Sequence, residues 1–261
     1  MTTIERLERF KSQTLVQEEY KRLLKDSESK EFNKRQDSLY LIPRNIHRQL
    51  SFRYILNKEQ REKDENVSKQ YRQIAIDLMK ILYEETFFYK EMENKNSKFL
   101  EEMIDQIQEA ADEAPKDTVK RVEDMARLKL KDPELQDVYY HMLKGSVTRP
   151  QLKLDEEKRQ KEGTSLTAEQ KEKTYVSLLT YIHYSNAGPE IQLAPRELLE
   201  AIFENPQIAE DIIVKRIELA KDYDSKGEEN FKNEFNPKRK TGLSDQILNF
   251  KVSKTDKSKY D

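Results

Sequence analysis

The sequence has no cysteine and only five glycines, no two of them neighbours. The first absence excludes disulfides, cysteine-ligated zinc, iron–sulfur clusters and a cysteine nucleophile. The second removes the loops that cradle phosphates, where the backbone must come closer than a side chain allows. Neither G-x-G-x-x-G nor a Walker loop exists, and the G-x-S-x-G of many serine hydrolases is missing too. Histidine is scarce: His47, His141 and His183 are the whole supply. No two are near enough to form a local ligand pair, and there is no H-E-x-x-H. No glutamate stands three residues before any of them, so the helical di-iron motif is absent. No metal and no cofactor is expected. No apolar run approaches the length of a membrane span. The first residues, Met1 to Arg6, lack the hydrophobic region of a signal peptide. A soluble, cytoplasmic protein is the default expectation, and export without a cleaved signal would leave no trace here.

What is abundant is charge. Charged residues make up 38% of the 261 and hydrophobic ones 35%, with 48 basic against 50 acidic side chains. Near balance removes net self-repulsion as a reason to unfold. The small apolar share suits helices with narrow buried faces.

The stretch 67–114 carries such a face. Tyr71, Ala75, Leu78, Leu82, Tyr89, Met92, Phe99, Met103, Ile107 and Ala110 recur mostly at steps of three or four, with no glycine or proline until Pro115. That period predicts one long amphipathic helix, or two in line with a break in 91–98 where Asn94, Asn96 or Ser97 restarts it. Upstream, 4–24 reads as a helix behind a Thr2 or Thr3 cap, and 26–38 as a polar connection. The stretch 39–56 reads as a helix opening near Pro43 with Ile46, Leu50 and Tyr54 inward. Asp132-Pro133-Glu134 is the clearest helix start: a capping carboxylate, proline at the first position and an acid near the positive end of the dipole. Gly145 closes that helix. Thr167 and Gln170 form a capping-box pattern, opening a helix expected to continue through Tyr175, Leu178, Leu179 and Ile182. Pro195 and Asn205-Pro206 open two more.

These readings give an all-α fold, a multi-helix bundle around a long central helix or in-line pair. Its parts are an N-terminal helical domain at 1–145, a charged linker at 146–166, a smaller helical unit at 167–223 and a polar, partly disordered tail at 224–261. The tail's apolar residues are islands, with one short helix expected over 244–250.

Three functional expectations follow. The first is a non-enzymatic protein–protein interaction or adaptor protein that presents amphipathic helices. Its tail would fold onto another protein through Leu243, Ile247, Leu248 and Phe250. The second is binding of nucleic acid or anionic lipid by Arg44, Arg48 and Arg53 on one helix with Lys238, Arg239 and Lys240 in the tail. A sequence pI near 6.1 weighs against it. The third is a helical enzyme whose histidine and carboxylates meet only in the folded chain. No residue is assigned a catalytic role, because a histidine among tyrosines is ordinarily a hydrogen-bonded packing residue. The acidic run Glu101, Glu102, Asp105, Glu109, Asp112 and Glu113 has no basic residue within it. It reads as a solvated face, a receiver for a basic partner or a seat for the chain's own basic tail.

Overall fold

Burial around one helix sets the architecture. In the computed structural model, residues 49–115, 118–147, 159, 163, 165–221, 225–244 and 247–251 are described. They begin with β1 (Leu50–Ser51), followed by the short helices α1 (Arg53–Leu56) and α2 (Lys58–Lys63). The central helix α3 (Glu65–Tyr83) buries Ser68, Gln70, Tyr71, Ile74, Ala75, Ile76, Leu78, Met79 and Tyr83. At 100° per residue these positions wrap about 240° of its circumference. A surface helix buries one stripe; α3 is covered on several sides, and α1, α2, α5 and α8 pack on it.

The stretch 67–114 divides into α3, α4 (Phe87–Lys95) and α5 (Phe99–Glu113). The expected break in 91–98 is present: Asn96 leaves helical geometry and its Oδ1 accepts from Lys98 N–H at 2.9 Å. A second break, at 84–86, was not anticipated. Thr86 turns extended there, and its N–H (2.8 Å) and hydroxyl (2.6 Å) both donate to the Tyr83 carbonyl. A threonine that bonds the local backbone competes with the helix.

A 3₁₀ turn at Val122–Arg127 leads to α6 (Pro133–Lys144). Asp132 caps α6 by accepting from Glu134 and Leu135 N–H, and Gly145 ends it at φ 67°. Next come α7 (Ala168–Lys173), a 3₁₀ turn at Leu178–Thr180, β2 (Ile182–His183), α8 (Arg196–Phe203), α9 (Pro206–Lys221) and α10 (Ser225–Phe235). The expected all-α class is observed. β1 and β2 form a two-residue parallel pair with Leu50 opposite Ile182. Among the described residues no helix is long and apolar enough to cross a membrane.

Three expectations are corrected. The helix read over 39–56 does not include 49–52, because Leu50 N–H donates to Tyr181 O and Phe52 N–H to His183 O, both at 2.8 Å. Non-local pairing overrides the local four-residue spacing; 39–48 lie outside the described residues. The helix opened by Thr167 has its capping box but stops at Lys173. Beyond it, Tyr175 O accepts from Ser146 and Val147 N–H, and Val147 bridges Val176 in parallel, so the backbone is spent on the segment after α6. In the described part of the tail, 225–244 and 247–251, the apolar residues are packed and not isolated. It begins with α10, which buries Phe231 and Phe235, and continues through the buried Leu243, Ile247, Leu248 and Phe250. Of the helix expected over 244–250, a single turn is seen, in which Ile247 N–H donates to Ser244 O at 3.3 Å; Asn249 beyond it forms an extended bridge with Glu190, and 245–246 lie outside the described residues. The helix expected over 4–24, the polar 26–38 and most of 146–166 lie outside the described residues.

Candidate functional site

Four of the six basic candidates fall among the described residues. Arg44 and Arg48 lie outside them, and Arg53 opens α1. Lys240 bonds Asp77 Oδ2 of α3 at 2.7 Å and also Glu204, just past α8. Burial alone would lower the Lys240 pKa, but the hydrogen bonds to these two carboxylates outweigh it and raise the value above the ordinary lysine range. Arg239 Nε donates to Leu243 O at 2.7 Å and its guanidinium to Asn236 O at 2.6 Å. Lys238, more open, sits 4.8 Å over the Phe235 ring. Lys240 ties the tail to the body through Asp77 and Glu204, while the Arg239 bonds stay within the tail.

Leu243, Ile247, Leu248 and Phe250 are likewise committed. All four are buried in the chain's own core. They pack against this protein's own body.

The acidic run on α5 is met from within the chain. Arg72 bonds Asp105 at 2.8 Å, Arg61 pairs with Asp112, and Lys131 pairs with Glu109 and Glu113. These are mostly exposed pairs, worth little each to stability. Three basic side chains thus meet four of the six carboxylates, and the face keeps an excess of negative charge.

Of the histidines, His47 is outside the described residues. His183 is buried in β2, and its Nδ1 lies 2.9 Å from Ser185 Oγ. The hydroxyl also accepts from Ala187 N–H, so the pair shapes the turn after the strand. Among the described residues no three His, Asp or Glu side chains converge as a metal-binding group.

His141 has different surroundings. It lies on the outer flank of α6, with its ring stacked on Phe88 at 5.3 Å and 8°. Phe87 meets it edge-on at 5.3 Å and meets Phe88 at 5.5 Å. His141 Nδ1 is 2.9 Å from the Tyr175 hydroxyl, and its Nε2 is 3.9 Å from Asp137. Burial, then the nearby Asp137 charge, raises the Tyr175 pKa, so this phenol stays neutral and can donate to the imidazole. Behind the ring, Tyr83 is buried and its hydroxyl faces the carbonyls of Met142 (3.1 Å) and Val176 (3.0 Å). Lys144 lies over the Tyr140 ring at 5.8 Å. The result is an aromatic ledge built from the start of α4, the outer flank of α6 and the strand-like 175–176. Phe87 is its most open member, 43% exposed.

The histidine was visible in the sequence, but the ledge was not. One signal was available: Phe87, Phe88 and Tyr89 are consecutive. Three neighbours on a helix fan over about 200°, so a narrow buried face cannot take them all. Tyr175 carried no such signal, because it joins the ledge through a contact 34 residues from His141.

Comparison with known proteins finds no matching family, no matching curated relative and no matching solved structure.

Proposed function

We propose that this chain is a non-enzymatic protein–protein interaction or adaptor protein and that the Phe87 ledge is its point of contact. The observation that supports this reading is the state of Phe87: its ring is open to solvent yet pinned edge-on by Phe88 and His141. A large aromatic left in water forgoes its burial energy. One already held in place loses little further freedom when a partner covers it. Aromatic anchors of this kind dominate binding energy at many interfaces. The polar rim around it includes Asp137, Lys144 and the Lys90–Glu172 pair at 3.0 Å.

The test is affinity capture from the native host with the full-length chain and its Phe87→Ala variant, followed by quantitative mass spectrometry. A protein recovered near stoichiometry on the first and reduced about tenfold or more on the second is expected. Circular dichroism of the two chains should coincide, since Phe87 contributes to a surface ledge. Equal recovery on both chains, or no partner on either, would overturn the reading.

A further inference from the structure

A second surface, separate from the ledge, lies where the folded tail meets α10. The segment 247–251 is hydrogen-bonded on one side only. Asn249 N–H donates to Pro189 O at 3.1 Å, and Asn249 O accepts from Ile191 N–H at 2.8 Å, forming the parallel bridge to Glu190. Backbone groups alternate in direction along an extended chain, so the Leu248 carbonyl and the Phe250 N–H point the other way. Among the described residues neither has a hydrogen-bond partner. The space beside them is a cleft of about 340 Å³, whose far wall is the α10 side chains Glu228, Glu229 and Lys232 and, just beyond the helix, Asn236. The floor is rigidly held: Leu248 and Phe250 are buried, and Phe250 packs on Phe231 with ring centroids 6.1 Å apart.

We infer that this cleft receives an extended segment of a partner protein by strand addition. One residue of that segment donates its N–H to Leu248 O and accepts at its carbonyl from Phe250 N–H, repeating on the outer side the bridge that Glu190 makes on the inner side. An unpaired edge of this kind is satisfied by another main chain, and its geometry selects an extended one. The rim adds charge selection. Glu229 and Lys232 stand one helical turn apart on the wall, and Lys251 lies on the floor side. The fitting segment therefore carries a basic and an acidic residue flanking the paired position.

The test follows the Phe250 amide by hydrogen exchange in the full-length chain, alone and with peptides selected from a displayed library of random dodecapeptides. Three results are expected. The amide exchanges freely in the chain alone. A selected peptide slows it about tenfold or more. The double reversal Glu229→Lys with Lys232→Glu weakens that peptide about tenfold. Both substituted residues are exposed, so the fold should survive, and the exchange reading on the unaltered chain stands without the variant. Protection of Phe250 in the chain alone would overturn the inference, showing a cleft filled by this chain if independent of concentration and by a second copy if not. Peptides that bind without protecting Phe250, or a selection that yields none, would overturn it as well.

Discussion

The helices α3 to α6 and the described parts of the tail, 225–244 and 247–251, are both folded, but they are held differently. In α6 the buried residues Leu135, Val138, Tyr139, Met142 and Leu143 recur at nearly every turn. In the tail, burial comes at separate points: Phe231 and Phe235, then Leu243, then Ile247, Leu248 and Phe250, with polar chain between. That polar chain is tied to the body. Lys240 bonds Asp77, Ser244 N–H donates to Gln70 Oε1 at 2.7 Å, and Asn249 bridges Glu190. Sustained apolar content marks elements that bury a continuous stripe. It misses a segment that is pinned at intervals, although each pin buries as much as a core residue of a helix.

The largest expected effect tests whether the pinned segment is integral to the fold. Phe231 is fully buried. Phe231→Ala should lower the unfolding free energy by about 3–5 kcal/mol, as for any core phenylalanine. Urea denaturation measures it, and a loss below about 1 kcal/mol would show a tail merely draped on the body. Next in size is Gly145→Ala, at the joint between α6 and the irregular chain beyond. Gly145 has φ +67°, and a Cβ there would lie 2.5 Å from Ser177 N and 3.0 Å from the Val176 carbonyl carbon. Strain and backbone collision together should cost about 2–3 kcal/mol. An unchanged midpoint would mean that the Val147–Val176 pairing is loose enough to yield.

How much of this was legible in the sequence depends on where each residue finds its partner. Asp132-Pro133, Gly145, Thr167 with Gln170, and Pro195 were all readable, because a cap is satisfied within four residues of itself. The break at Thr86 was missed because threonine also sits well inside helices. The strand-like 50–52, 175–176 and 182–183 were missed because their partners are far along the chain: Tyr181 for Leu50, and Tyr175 for Ser146. The site divided in the same way. His141 could be singled out by type, but the ring it stacks on and the hydroxyl it meets come from other elements. The basic cluster was read as a surface because Asp77 and Glu204, the carboxylates that take up Lys240, lie far from it in sequence.

A third prediction exploits a chemical difference between the two regions. The helical body buries Tyr71, Tyr83 and Tyr139, while the tail buries Phe231, Phe235 and Phe250. Burial raises the pKa of all three tyrosines, and that of Tyr89 to about 12. The unfolded chain releases these protons at the ordinary phenol value near 10, so each raised group contributes stability that is complete below that pH and is lost as pH climbs toward its folded value. Tyrosinate absorbance should therefore rise together with loss of helicity in alkali. Tyr83→Phe, which also removes the hydroxyl facing Met142 and Val176, should cost about 1–2 kcal/mol at neutral pH and flatten part of that alkaline decline. Absorbance rising well before helicity falls would instead mean that the phenols are reached without unfolding.

The smallest effects come from two side-chain caps, each accepting from backbone N–H groups, in unequal settings. Asp132 caps α6, which packs into the core along one whole face; Thr167 caps α7, which buries no residue. Asp132→Ala should lower global stability by about 1 kcal/mol, because α6 cannot fray without exposing Leu135. Thr167→Ala removes a full capping box, yet the global midpoint should move by less than about 0.5 kcal/mol. The helix it loosens can open alone, held to the body by little more than the Lys90–Glu172 pair. Hydrogen exchange separates the two. Thr167→Ala should speed exchange at Lys171 and Thr174, whose N–H groups donate to Thr167 and Lys171 carbonyls, and leave α6 unchanged. If both variants shifted the global midpoint equally, α7 would have to be coupled to the core.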